Sequence, residues 1–65
     1  MQKLTARQQE AMDIIKAHNG VATWGRLIGE MRIGGTSFMN IIQALERKGL
    51  IETYFAQPDW FAKIV

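Results

Sequence analysis

The chain has 65 residues, no cysteine and one His, with eight Lys and Arg against six Asp and Glu, for a formal charge of +2. That size bounds it to one small domain with a marginal core, and the missing thiols exclude a disulfide framework and a thiolate metal site. A hydrophobic content of 48% argues against disorder, no apolar run approaches the length of a membrane span, and the polar start offers no secretory signal, so a cytoplasmic protein is the expectation. The mildly basic pI of about 9.4 permits nucleic-acid binding without demanding it.

The first helix opens at Thr5, since Thr5 and Gln8 have the spacing of a capping box. It runs to about His18, with Ala11, Met12, Ile14 and Ile15 as its apolar side. Glu10, Asp13 and Lys16 form a solvated face of mixed sign. Asn19-Gly20 ends the helix. His18 suits the negative end of the helix dipole, and no nucleophile or orienting acid surrounds it, so an enzyme is not expected.

A short strand at 21–22 is expected beside a later hairpin. Thr23 then caps a second helix from about Trp24 to Met31, burying Trp24, Leu27, Ile28 and Met31. Gly25 and Gly29 are poor helix formers that share one face. Close approach of another backbone is the expected reason, while Arg26 and Glu30 exclude a membrane packing motif. Arg32-Ile33-Gly34-Gly35 is expected to turn the chain, with Gly34 and Gly35 taking positive φ. No P-loop pattern surrounds those glycines.

A third helix starts near Thr36 or Ser37, either of which can cap it. Phe38, Ile41, Ile42 and Leu45 form its apolar face, and Lys48-Gly49 ends it. At about 100° per residue, Thr36, Asn40, Gln43 and Arg47 fall on the opposite side. Asn and Gln present a donor and an acceptor suited to an adenine edge, and Arg suits guanine or phosphate. Helix, tight turn and helix, with the second polar on its outside, is the arrangement that places a helix in the major groove.

A hairpin closes the chain. Residues from Leu50 to Phe55 and from Trp60 to Val65 are its strands, and Ala56-Gln57-Pro58-Asp59 is its turn. Strand alternation sets Tyr54 against Phe55, and Phe61 against Trp60, for a place in the core. Aromatic residues left outside would mark a contact surface.

The segment Ala44-Leu45-Glu46-Arg47-Lys48-Gly49-Leu50-Ile51-Glu52 resembles the join of recognition helix to wing in winged-helix repressors of the MarR and LexA types. The opening Leu4-Thr5-Ala6-Arg7-Gln8-Gln9-Glu10 resembles the start of the LexA-type DNA-binding domain. The resemblance implies an α+β, mainly helical, winged helix-turn-helix fold of three helices and a two-stranded hairpin, spanning 1–65. It also implies double-stranded DNA as partner. Base readout falls to Thr36, Ser37, Met39 and Asn40, with Gln43 and Arg47 further along the same side. Phosphate contacts fall to Lys3 and Arg7 at the first helix and Gln57 at the wing tip, and Arg26 and Lys48 are the remaining cationic candidates.

This chain departs from the LexA pattern in a shorter loop before the third helix, in Ile28 where a small residue is usual, and in a short wing carrying Asp59. The self-cleaving protease part of LexA-type repressors has no counterpart in these residues, so that activity is not carried over. The expectation is a stand-alone transcriptional regulator, repressor-like, on the scale of a phage or mobile-element protein. A homodimer on DNA is expected, with Tyr54 and Trp60 as candidate contacts. A protein-contact module and an excisionase-like factor that bends DNA are the alternatives. No cofactor, metal, small-molecule ligand or membrane partner is expected.

Overall fold

A computed structural model describes residues 3–65. Among them the element order is α1 (Ala6–Ala17), β1 (Val21–Thr23), α2 (Trp24–Met31), α3 (Gly35–Arg47), β2 (Ile51–Ala56) and β3 (Asp59–Ile64). The expected capping box closes α1: Thr5 Oγ1 accepts from the Gln8 amide at 3.1 Å, and Gln8 Oε1 accepts from the Thr5 amide at 3.2 Å. Two orphan donors of the first turn are thereby satisfied. Thr23 caps α2 in the same way, its hydroxyl accepting from the Arg26 amide at 3.1 Å.

The expected short strand exists and does more than flank the hairpin. Val21–Thr23 pairs antiparallel with β3, placing Ala22 opposite Ala62, so the sheet order is β1-β3-β2. β2 and β3 pair from Ile51↔Ile64 to Ala56↔Asp59, leaving Gln57-Pro58, joined by a cis peptide bond, as the turn. Three helices with a C-terminal two-stranded wing, and β1 closing the sheet, form a winged helix.

One apolar cluster joins all six elements. Ala11, Met12 and Ile15 of α1 meet Leu27 and Met31 of α2 and Phe38, Ile42 and Leu45 of α3, with Ala22, Ile51 and Ala62 of the sheet closing one side. Each fully buried Leu, Ile or Phe contributes about 1.5–3 kcal/mol relative to exposure. Neither aromatic of either competing pair on the hairpin enters this cluster. Tyr54, Phe55 and Trp60 stay exposed, and the strands bury Ile51 and Ala62 instead. Among the described residues, the ring contact between these hairpin aromatics and a helix is Trp60 stacked on Trp24 of α2, which leaves them outside the core.

The turn between α2 and α3 is built differently from the expectation. Arg32, not a glycine, takes the left-handed conformation at φ 56° and caps α2. Gly34, at φ −74°, is the N-cap of α3, and the helix begins at Gly35 rather than after a Thr36 or Ser37 cap. Gly34 and Gly35 thus need no positive φ. Nor do Gly25 and Gly29 admit a neighbouring backbone, because a Cβ at either position would meet nothing within 4 Å. Gly49, by contrast, ends α3 at φ 73°, where a Cβ is strained.

Gly25→Ala and Gly29→Ala should therefore each raise unfolding stability by up to about 1 kcal/mol. Arg32→Gly should raise it by about 1 kcal/mol by relieving the left-handed cap. Gly49→Ala should lower it by about as much. Urea midpoints at constant m-value check all four, and a loss of stability at Gly25 or Gly29 contradicts the open-face reading.

Candidate nucleic-acid interface

The amphipathic pattern of α3 decides which side chains can face a partner. Phe38, Ile42 and Leu45 are almost wholly buried, which fixes the rotation of the helix about its axis. Thr36, Asn40, Gln43 and Arg47 are consequently exposed along its opposite side, with Ser37 exposed on the adjoining flank. Among the described residues none of these five side chains makes a hydrogen bond or ion pair. Their donors and acceptors are free for a partner. The glycine N-cap matters here: α3 has no side-chain cap bond, so the hydroxyls of Thr36 and Ser37 are not spent on their own helix. Met39 differs from its expected role. It is half-buried against the core cluster, so its side chain can offer a partner only an apolar edge.

The expected phosphate contacts separate into distinct groups. Lys3 is exposed beside the end of α3, since Lys48 Nζ donates to the Lys3 carbonyl at 3.1 Å. Lys48 also donates to Gln8 Oε1 at 3.1 Å, and so braces α3 against the start of α1. Arg7 serves a similar structural purpose. Its Nη1 donates to Glu10 Oε1 at 2.7 Å and to the Met31 carbonyl at 3.1 Å, tying α1 to the end of α2. That second bond satisfies a helix-end carbonyl that no sequence pattern advertised. Gln57 is exposed at the wing tip between Ala56 and Pro58.

Arg26 belongs to another cluster. His18 Nε2 lies 3.0 Å from Glu30 Oε2, and Arg26 Nη1 lies 3.5 Å from the same oxygen. This links the C-terminal cap of α1 to the outer face of α2. The hydrogen bond from His18 is the main cause holding the Glu30 carboxyl below its ordinary value of 4.5, with the charges of His18 and Arg26 adding to it.

A feature the sequence did not expose is a line of rings from α3 to the wing. Phe38 meets Trp24 edge-on with centroids 5.5 Å apart. Trp24 stacks on Trp60 at 4.9 Å, and Trp60 meets Phe55 at 5.5 Å. Trp60 is thus half-covered by its own chain, and the inner side of the wing is held against α2. The indole N–H of Trp24 is buried and has no partner among the described residues. On the outer side of the wing, Tyr54 stacks on Phe61 at 5.4 Å. A spacing rule for helices or strands finds neither chain of contacts, because each joins residues from separate elements.

Among the described residues no helix is long and apolar enough to cross a membrane, and no group of three or more His, Cys, Asp or Glu could hold a metal ion.

The winged-helix class defined by this geometry has a solved relative in shape. The chain is similar to a MepR-like protein whose crystal structure was determined in complex with pseudoligands, with a TM-score of 0.84 over 95% of this chain and 22% sequence identity. The match spans 45% of that protein's chain, and at that identity it speaks for the fold alone. No family model and no curated protein matches the sequence.

Carboxyl-carbon NMR should place the Glu30 titration midpoint below 4.5, and His18→Ala should move it up toward that value. Because the folded-state value is lowered, the associated stability is present above the unfolded-state value and is lost as pH falls through the lowered one. An unchanged midpoint in His18→Ala would remove the imidazole as its cause.

Proposed function

We propose that this protein binds double-stranded DNA in a sequence-dependent way, with α3 in the major groove, and acts as a small repressor-like transcriptional regulator. The observation that carries the reading is the row of Thr36, Ser37, Asn40, Gln43 and Arg47, all exposed and all without internal bonds, on a helix whose rotation is fixed by buried Phe38, Ile42 and Leu45. Surface amides and hydroxyls are commonly solvated, but a continuous free row on the second helix of a helix-turn-helix matches the surface that base readout requires.

Roles follow from chemistry and position. Thr36 and Ser37, in the first turn, offer hydroxyls to phosphates or base edges. Asn40 and Gln43 offer paired donors and acceptors to adenine. Arg47 reaches guanine or the backbone near the end of the helix, where Lys3 adds a second cation. Met39 offers an apolar edge to a thymine methyl. Arg7 and Lys48 contribute positive field to the same end of the molecule while holding α1 in place. Arg26 and Gln57 remain outlying phosphate candidates, Gln57 weakened by the neighbouring acid Asp59. A module of this size covers about 600–1,000 Å² on DNA.

Two observations favour a second reading, a winged helix used for protein contact. The exposed aromatic residues lie on the wing, and cations on the free row number only Arg47.

Selection from random duplexes followed by a salt series separates the two. DNA binding should enrich a sequence and weaken steeply with salt. Asn40→Ala should cost about 1–3 kcal/mol on the selected site and relax its preference. Arg47→Ala should flatten the salt slope by about one unit if it meets phosphate. Absence of binding by folded protein near 50 mM salt, a condition at which phosphate contacts are strong, would overturn the DNA reading.

A further inference from the structure

The sheet has two edges, and they differ. β1 is three residues long, short enough to offer little to an incoming strand. β2 is six residues, Ile51–Ala56, and forms the other edge. Its sequence IETYFA contains no Lys and no Pro, two of the devices that protect edge strands. It also carries an exposed aromatic residue on each face. Alternation from buried Ala62, through the register Ala62↔Thr53, puts Phe55 on the inner face and Tyr54 on the outer.

Tyr54, Phe55 and Trp60 are exposed to a similar extent, at 40%, 51% and 45%, and Phe61 is better covered. Trp60 stacks on Trp24 and meets its cross-strand neighbour Phe55 at a tilt, and Phe61 is half-buried against Tyr54. Trp60 and Phe61 lie on β3, the central strand, whereas Tyr54 and Phe55 lie on the strand with a free edge, so a contact made by strand pairing falls to β2. Charge argues against DNA as the cover. Residues 51–64 hold two acids, Glu52 and Asp59, and one base, Lys63, a net of −1.

We propose that the free edge of β2 pairs antiparallel with β2 of a second copy of this chain, joining two three-stranded sheets across a two-fold axis. A strand paired with itself in this way matches its own alternating donors and acceptors. Centring the pair on Tyr54 sets Glu52 of each copy opposite Ala56 of the other. The two carboxylates then lie about 14 Å apart along the strands, from a rise of about 3.4 Å per residue. That exceeds the screening length of about 8 Å at physiological salt, so the only charge on the strand does not oppose the pairing. Tyr54 meets its own counterpart on the outer face. The two Phe55 rings become diagonal neighbours on the inner face, and such cross-strand aromatic pairs are favourable.

This inference stands on the sheet edge and not on the DNA reading, and its test contains no DNA. Sedimentation equilibrium up to about 1 mM, the weak end of measurable affinity, should give a mass rising from 7.4 kDa toward twice that value. Tyr54→Lys should weaken association about tenfold or more while near-ultraviolet dichroism keeps its Trp signal. In the unaltered protein, amide exchange in β2 should slow as concentration rises, with β1 unaffected, which keeps the test independent of how the variant folds. A wild-type mass of one chain throughout overturns the proposal. So does a dimer whose concentration-dependent protection lies outside β2, as a contact centred on Trp60 or on another surface would produce.

Discussion

The rotation of α3 is the constraint on which the rest depends. Phe38, Ile42 and Leu45 can be buried together in only one setting of the helix, because they share one face at helical spacing. Ile15 of α1 and Leu27 of α2 fill the other side of that contact. Once the setting is fixed, the positions of Thr36, Ser37, Asn40, Gln43 and Arg47 are fixed too. A free polar row is therefore a consequence of core packing, and whatever loosens the core also blurs the row. Truncating Phe38 would cost about 3–5 kcal/mol, a large share of what a domain this small can hold.

The second layer of support is polar and lies at the helix ends. Lys48 fastens the end of α3 to the start of α1, and Arg7 fastens α1 to the last turn of α2. These contacts are at least partly exposed, so each is individually modest. Their value is geometric: they hold three helix ends in register around a small core. The wing is placed by different means. Two rows of rings, Trp24 with Trp60 and Phe55, and Tyr54 with Phe61, stiffen it without burying it. A wing of that kind is suited to contact by its faces and edge, and poorly suited to gripping phosphates.

Much of this was readable from residues. Local chemistry located α2 from its Thr23 cap and Met31 end, the capping box at Thr5 and Gln8, and the stop at Gly49, since each is a short-range signal with a short-range cause. The polar side of α3 followed from its period. What failed was also local in appearance but tertiary in cause. Gly34 and Gly35 suggested positive φ, yet the chain reverses at Arg32, and sequence does not reveal which residue of a short turn takes the strain. Gly25 and Gly29 suggested a close approach that the open face of α2 does not contain. For the candidate site, the exposed row was legible, and so was the i, i+4 pairing of Arg26 with Glu30, whereas the half-burial of Met39 and the commitments of Arg7 and Lys48 required knowing which helix ends meet.

DNA readout by the free row on α3, as proposed, would leave a residue-by-residue signature. Amide and side-chain NMR of the folded protein, titrated with a selected duplex at low salt, tests it most directly. The largest shifts should fall on Thr36, Ser37, Asn40, Gln43 and Arg47, with smaller ones at Lys3. Shifts confined to Tyr54, Phe55 and Trp60 of the wing, or no shifts at a salt concentration where phosphate contacts are strong, would contradict it.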